Sequence, residues 1–280
     1  MPRPDREFWE SAYGNTRDYN YYYYSLLEIA VSRFKWINMP ESINKRYLEL
    51  ILSIKGRSLF FKDDVLGYLA LKTTIQGRFN QYHEPIERRA YGDNGYNAQR
   101  NEDDSVIIYN TMLKQSDLYA IQMFATKLYN CSRAQEVNIN AQKTPILITC
   151  EESQRLTMKN LYMKYEGNVP FIFGDKNLNP NSLKVLSTGA PYVADKLHEH
   201  EVKLWSEALT YLGVSNVAVN KKERLNLEET TKMQGQTNIR KQAYLRARKQ
   251  ACDEINKMFG LNVDVEYDED VGVMLEGVEE

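Results

Sequence analysis

Few residues in this chain of 280 stand at spacings that do chemistry. His198 and His200 flank Glu199, and an HEH triplet invites a metal reading. On a helix, positions i and i+2 point in different directions, so the two imidazoles cannot share an ion. His83 stands alone. DVEYDED at 264–270 is acidic but lacks the glycine and the closing glutamate of a calcium loop. A nuclease needs clustered carboxylates around a metal, and Glu151–Glu152 or the acidic tail are poor material for it. No Walker A pattern is present, so ATP hydrolysis is not expected. YGDNGYN at 91–97 lacks the glycine spacing of a dinucleotide loop and the apolar helix that should follow it. No Gly-x-Ser-x-Gly elbow and no Cys/His pairing stands out. The expectation is a protein that is not an enzyme, with no catalytic residue, metal or cofactor.

What remains is positive charge. Lys196 and Lys203 lie seven residues apart and so share one face of a helix. Lys221, Lys222 and Arg224 follow in a polar stretch. In a monomer such cations are ordinary solvated surface. In a closed ring the same few lysines, repeated, make a positive band while each chain stays near neutral. The formal net charge of -2 excludes a chain basic throughout, so any contact with DNA must come from local charge or from geometry. The 20 tyrosines suit interfaces, where an apolar ring with a polar tip is useful. Cys131, Cys150 and Cys252 are far apart and odd in number, which points to reduced thiols in a cytosolic setting. No apolar run approaches the ~20 residues that span a bilayer, and MPRPDREFWE has no apolar signal region. No membrane partner is expected.

The elements that must position these residues can be read from periodicity. Residues 1–16, with two prolines, are expected to be a flexible arm. Tyr23, Leu26, Leu27, Ala30, Val31 and Phe34 predict a helix over 19–36. A second helix is expected over 42–54, stopped by Gly56, then a strand at 57–61 and a weaker helix at 63–75. Short strands and loops fill 76–104, and SVIIYN at 105–110 is a strand. Ser116 can cap a helix whose stripe is Leu118, Ile121, Ala125 and Leu128. At AQKTP the chain turns extended: ILIT is a strand, 156–165 a short helix, PFIF a strand and LKVL extended. A helix then returns, with Val193, Leu197, Leu204 and Ala208 on one stripe, Pro191 at its start and Gly213 past its end. The two long helices match at ~20 residues, hence ~30 Å each. They flank an α/β insert of ~50 residues by the pattern rules. Residues 214–237 read as a long polar loop, 238–259 as a helix stopped by Gly260, and 261–267 as a strand.

NAQKTPILI, YEGNVPFIF, APYVADKL and the pairing of KKER with CDEINKMFGLNV resemble, in this order, the portal protein of small short-tailed phages, also called the upper collar or head–tail connector. The resemblance runs from about Tyr23 to Val265. It implies an α+β, mainly helical portal-type fold assembled as a ring, dodecameric in the family. Its parts would be a wing (17–115 and 238–280, with an acidic tail), stem helices at 116–139 and 189–213, a clip at 140–188 and a channel loop at 214–237. The ring would sit at one capsid vertex, pass double-stranded DNA inward and outward, and retain it. Its partners would be the chain itself, DNA, the major capsid and scaffolding proteins, the packaging ATPase and a lower collar or tail protein. The resemblance places Lys196 at one lysine ring of the channel. Ser187 stands at the other, leaving Lys184 as its substitute. Lys203, Lys221, Lys222 and Arg224 complete the expected DNA-facing set, and Tyr165, Glu166, Gly167 and Asn168 face motor or tail on the clip. A packaging RNA has weak support, because MPRPDR holds only Arg3 and Arg6 with Asp5 between them. The alternative is a structural collar or scaffold oligomer without direct DNA contact.

Overall fold

A computed structural model describes residues 6–75, 77–142, 146–149, 171–174, 191–214 and 227–268. Its helices are α1 (Arg6–Ser32), α2 (Lys45–Lys55), α3 (Leu118–Ala141), α4 (Ala194–Leu212) and α5 (Leu227–Phe259). Its strands are β1 (Phe34–Ile37), β2 (Arg57–Asp63), β3 (Gly67–Ile75), β4 (Glu87–Tyr91), β5 (Asn97–Asn101), β6 (Ser105–Tyr109), β7 (Ile146–Thr149), β8 (Phe171–Gly174) and β9 (Asp264–Tyr267). The class is α+β, with helix outweighing strand among the described residues.

Four expectations need correction. The arm at 1–16 is helical from Arg6 onward. The two prolines stand at 2 and 4, before the helix, and from residue 6 no proline interrupts it. The same helix ends at Ser32, not at Trp36. Residues 34–37 instead form β1, which pairs antiparallel with β9 in the register Phe34↔Tyr267 and Trp36↔Val265. Strand alternation buries Phe34 and Trp36 and turns Lys35 outward.

The helix expected over 63–75 is a hairpin. Asp63 Oδ1 accepts the N–H groups of Val65 and Leu66, each at 3.0 Å, and fixes the turn. Gly67 follows at φ +76°, a left-handed conformation cheap only for glycine. β3 then runs back along β2 with Leu59 opposite Leu71. DVLGYLALK has local helical character, but pairing with a buried neighbour overrides a weak propensity.

The fourth correction concerns the channel loop. Of 214–237, residues 227 onward belong to α5, a helix of 33 residues. Its C-terminal half buries Tyr244, Ala247, Ala251 and Ile255, and a helix anchored there propagates at low cost through residues of modest propensity.

Five strands form one antiparallel sheet in the order β5-β4-β3-β2-β6. The short turn at 102–104 joins its two edge strands, and the Arg88 guanidinium on β4 donates to the Ser105 carbonyl on β6, so the sheet curls round on itself. Each face of the sheet has its own apolar cluster. Leu59, Phe61, Ala90 and Ile107 fill one. Phe60, Val106 and Ile108 face the other, with Leu48 and Leu52 of α2, Ile255 of α5, and Val265 of β9.

α2 is capped as its sequence asks. Asn44 Oδ1 accepts the Tyr47 N–H at 2.9 Å, and Gly56, at φ +77°, closes the other end. A Cβ on Gly56 would lie 2.7 Å from Ser116 N and 2.8 Å from the Gln115 carbonyl carbon. Only glycine lets the chain just before α3 come this close.

The chain divides into two compact units, Met1–Tyr129 with Lys203–Glu280, and Asn130–Val202. The first, the body, holds the curled sheet, α1, α2 and α5. The chain passes into the second through α3 and out of it through α4. Within the second unit β7 and β8 pair in parallel, Ile146 opposite Phe171. The helix expected at 156–165 and the extended LKVL lie outside the described residues.

Candidate functional site

The two long helices are held together differently in each unit. In the second unit, Asn138 clamps the start of α4, its Oδ1 accepting the Val193 N–H at 3.0 Å and its Nδ2 donating to the Pro191 carbonyl at 2.9 Å. Further along, Cys131 donates to the Leu197 carbonyl at 3.2 Å, and Gln135 to Glu201 at 2.8 Å. These pairs run the two helices antiparallel. In the body the contact is apolar: Ile121, Phe124 and Leu128 of α3 and Leu204, Ala208 and Leu209 of α4 are buried, with the Phe124 and Tyr211 rings 6.1 Å apart. The strut pair read from the stripes is therefore a packed helical hairpin.

At the roots of that hairpin lies a buried ionic cluster that the sequence pattern did not announce. Arg33, fully buried, donates through Nη2 to Asp117 Oδ2 at 2.6 Å, through Nη1 to the Leu212 carbonyl at 2.8 Å, and through Nε to the Ala30 carbonyl at 2.9 Å. One guanidinium thus joins the C-terminal ends of α1 and α4 to the residue that opens α3. Each charge also suits its helix end, with the acid at an N-terminus and the cation at two C-termini. Tyr244 of α5 donates to Asp117 Oδ1 at 2.7 Å, and Tyr267 of β9 to the Gly213 carbonyl at 2.6 Å.

Beside it, Arg248 of α5 grips Glu49 of α2 with two parallel bonds, at 3.0 and 2.7 Å. Its nitrogens also reach the carbonyl and side-chain oxygens of Asn110, and Trp36 Nε1 donates to Glu49 at 2.8 Å. Both guanidinium groups stand over the Phe34 ring, at 5.5 and 3.9 Å. Burial by itself works against the charge on Arg33; Asp117, then Tyr244, Tyr267 and Glu49, more than offset it and hold its pKa above the ordinary arginine value. Two cations face two carboxylates, so the cluster is balanced. A signal for it did exist: Arg248 falls between Ala247 and Ala251 on the buried side of α5, where an unpaired charge could not stay.

The residues singled out for DNA contact fare unequally. Lys196 and Lys203 are both exposed on α4, two turns apart. Among the described residues neither has a carboxylate within ion-pair distance. The exposed face they share also carries Glu199 and Glu207, at one-turn steps from Lys203, so it alternates in sign. Lys184, Lys221, Lys222 and Arg224, and the clip set Tyr165, Glu166, Gly167 and Asn168, lie outside the described residues. His198 stands 3.8 Å from Glu201 along its own helix. Among the described residues no three His, Cys, Asp or Glu gather as a metal site, and no helix is long and apolar enough to cross a membrane.

Comparison with solved structures gives the class. A chain from the structure described as the portal and tail of native bacteriophage P68 superposes with a TM-score of 0.52 at 17% identity, covering 100% of this chain and 96% of that one. A more distant similarity, TM-score 0.42 at 11% identity, is to an HK97 family phage portal protein from Corynebacterium diphtheriae, over 94% of this chain and 95% of that one. The fold is portal-like. The family model described as Phage Connector (GP10) matches residues 10–272, and the chain belongs to that family. The resemblance carried by its short sequence strings is thereby borne out.

Proposed function

We propose that this phage connector works as a closed homo-oligomeric ring, of twelve subunits by analogy with its family, set at one capsid vertex. Double-stranded DNA passes through its centre during packaging and ejection. Packaging motor and tail attach to it in turn, and the shell and scaffold surround it. The role is structural and geometric, not catalytic. The observation that carries the reading is the family match over residues 10–272, together with a helical hairpin that leads into a separate unit, Asn130–Val202.

A lumen that must let DNA slide cannot bind its phosphates strongly and uniformly. The alternation of Lys196, Glu199, Lys203 and Glu207 on α4 fits that need, since it offers weak contact without sequence preference. In this reading Lys184 adds to the channel charge. Lys221, Lys222 and Arg224 press on the duplex from the segment between α4 and α5, and Tyr165–Asn168 meet motor or tail. The rival reading, a collar without DNA contact, predicts no packaging defect when Lys196, Lys203 and the 221–224 cations are neutralised.

Electron microscopy of the purified protein, with particle symmetry counted, tests the proposal. Closed rings with a pore wide enough for a duplex are expected. A monodisperse monomer at high concentration and low salt would overturn it.

A further inference from the structure

Charge along α5 is distributed unlike that of any other helix among the described residues. From Thr230 to Cys252, 23 residues, there is no aspartate or glutamate, while Lys232, Arg240, Lys241, Arg246, Arg248 and Lys249 supply six cations. Two of the six are already committed: Arg248 is buried against Glu49, and Lys249 pairs with Asp264 at 2.5 Å. Lys241 lies over the Tyr267 ring at 4.2 Å. Arg240 and Arg246 face solvent. Arg246 has no ion-pair partner among the described residues. Arg240 lies over the Tyr211 ring at 4.8 Å, a contact that steadies the guanidinium and leaves its N–H edge open.

Around them the solvent side of the helix is amide-rich. Gln236, Ile239, Gln242, Arg246 and Gln250 recur at three- and four-residue steps and are exposed. Asp253 and Glu254 mark where this acid-free surface ends. Gln250 donates to Glu254 at 3.1 Å, where this surface ends. Arginines set among neutral amides, with no carboxylate bonded to either guanidinium among the described residues, match phosphate oxygens, which both groups contact without reading sequence.

We propose that the solvent side of α5 between residues 234 and 252 is a contact for the phosphate backbone of double-stranded DNA, anchored by Arg240 and Arg246. The inference rests on the ring reading, because two arginines per chain become a strong site only when repeated around a closed ring. The site is distinct from the sign-alternating face of α4. In the chain it follows the segment with Lys221, Lys222 and Arg224, with Glu228 and Glu229 between the two.

The test is binding of a fluorescein-labelled duplex to purified rings, followed by anisotropy over a salt series. Arg246→Gln, alone and with Arg240→Gln, is expected to weaken binding by about fivefold or more near 0.1 M salt. The slope of log K against log salt should also become shallower, by about one for each phosphate no longer neutralised. Arg240→Lys keeps the charge and is expected to retain most of the affinity. Arg246 is exposed, so its replacement should leave thermal unfolding unchanged. If the double variant forms normal rings and binds with unchanged affinity and slope, while Lys196→Gln/Lys203→Gln binds less, the α5 contact is overturned and the ring reading stands. If the double variant fails to form rings, the face is a subunit contact and the proposal is again overturned. If the wild-type protein forms no ring, both readings fall together.

Discussion

Removing Arg33 is the sharpest test of how the strut hairpin is fixed to the body. Arg33→Met keeps a side chain of similar length and takes away the charge. It leaves the Asp117 carboxylate, 1% exposed at its side chain, facing the Tyr244 hydroxyl with no cation bonded to it. Breaking a buried pair from one side costs about 3–5 kcal/mol. The Leu212 carbonyl also loses its donor, which adds about 1–3 kcal/mol if nothing replaces it. Domains are stable by only about 5–15 kcal/mol, so the variant should sit near the edge of folding.

Arg33→Met/Asp117→Asn should be milder than Arg33→Met alone, because no uncompensated charge stays inside and the amide can still accept from Tyr244. The coupling expected from the cycle is about 2–3 kcal/mol. Urea unfolding followed by tryptophan emission suits the measurement, since Trp36 is 3% exposed and bonded within the cluster. If the two substitutions add within about 0.5 kcal/mol, the charges are not acting as a pair and the reasoning fails.

Gly56→Ala should destabilise the body by more than about 2 kcal/mol, because the new Cβ meets backbone and not a movable side chain; chemical denaturation measures it. The Asp63 carboxyl is held below its usual range by the Tyr96 hydroxyl first, then by the Leu66 and Val65 N–H groups. Its folded pKa is thus depressed, so its support of the 63–67 turn is complete above the unfolded value of about 4 and fades as pH falls through the folded one. Amide exchange at Val65 and Leu66 should speed up at acid pH relative to sheet amides. Asp63→Ala, which removes the acceptor, should show that fast exchange already at neutral pH. Burial pushes the Cys252 thiol up to about 12, and it raises Cys131 as well. Neither should be alkylated in the native protein at neutral pH, and both should be once it is unfolded, as peptide mass spectrometry would report.

Helices with one clean apolar stripe were legible from spacing alone. α2, α3, α4 and the second half of α5 fall close to where periodicity puts them, because in each the stripe is the buried face. Residues 34–37 and 63–75 misled for the opposite reason. Phe34 and Trp36 fit the tail of a helical pattern, and DVLGYLALK fits a short helix. Each becomes a strand through a partner strand, β9 in one case and β2 in the other, and no local rule sees that pairing. The start of α5 was hidden because its first turns carry no apolar stripe. The Arg33–Asp117 and Arg248–Glu49 pairs join residues 84 and 199 positions apart, a distance over which charge patterning says nothing. Lys196 and Lys203 do share one helix face, as their spacing requires, but their acidic neighbours change what that face can do.

The pairing of β1 with β9 has a consequence in time. β1 is made about 230 residues before its strand partner, and Tyr244 and Arg248, which complete the ionic cluster, also come well after Arg33, Glu49 and Asp117. While the ribosome is still working, Arg33, Asp117 and Glu49 wait without their full set of partners. Residues 130–202, by contrast, are a contiguous stretch finished long before. The body can therefore close only when β9 has emerged. A chain cut short before about Val265 could not complete this core, so synthesis itself screens unfinished subunits out of any assembly built from the body.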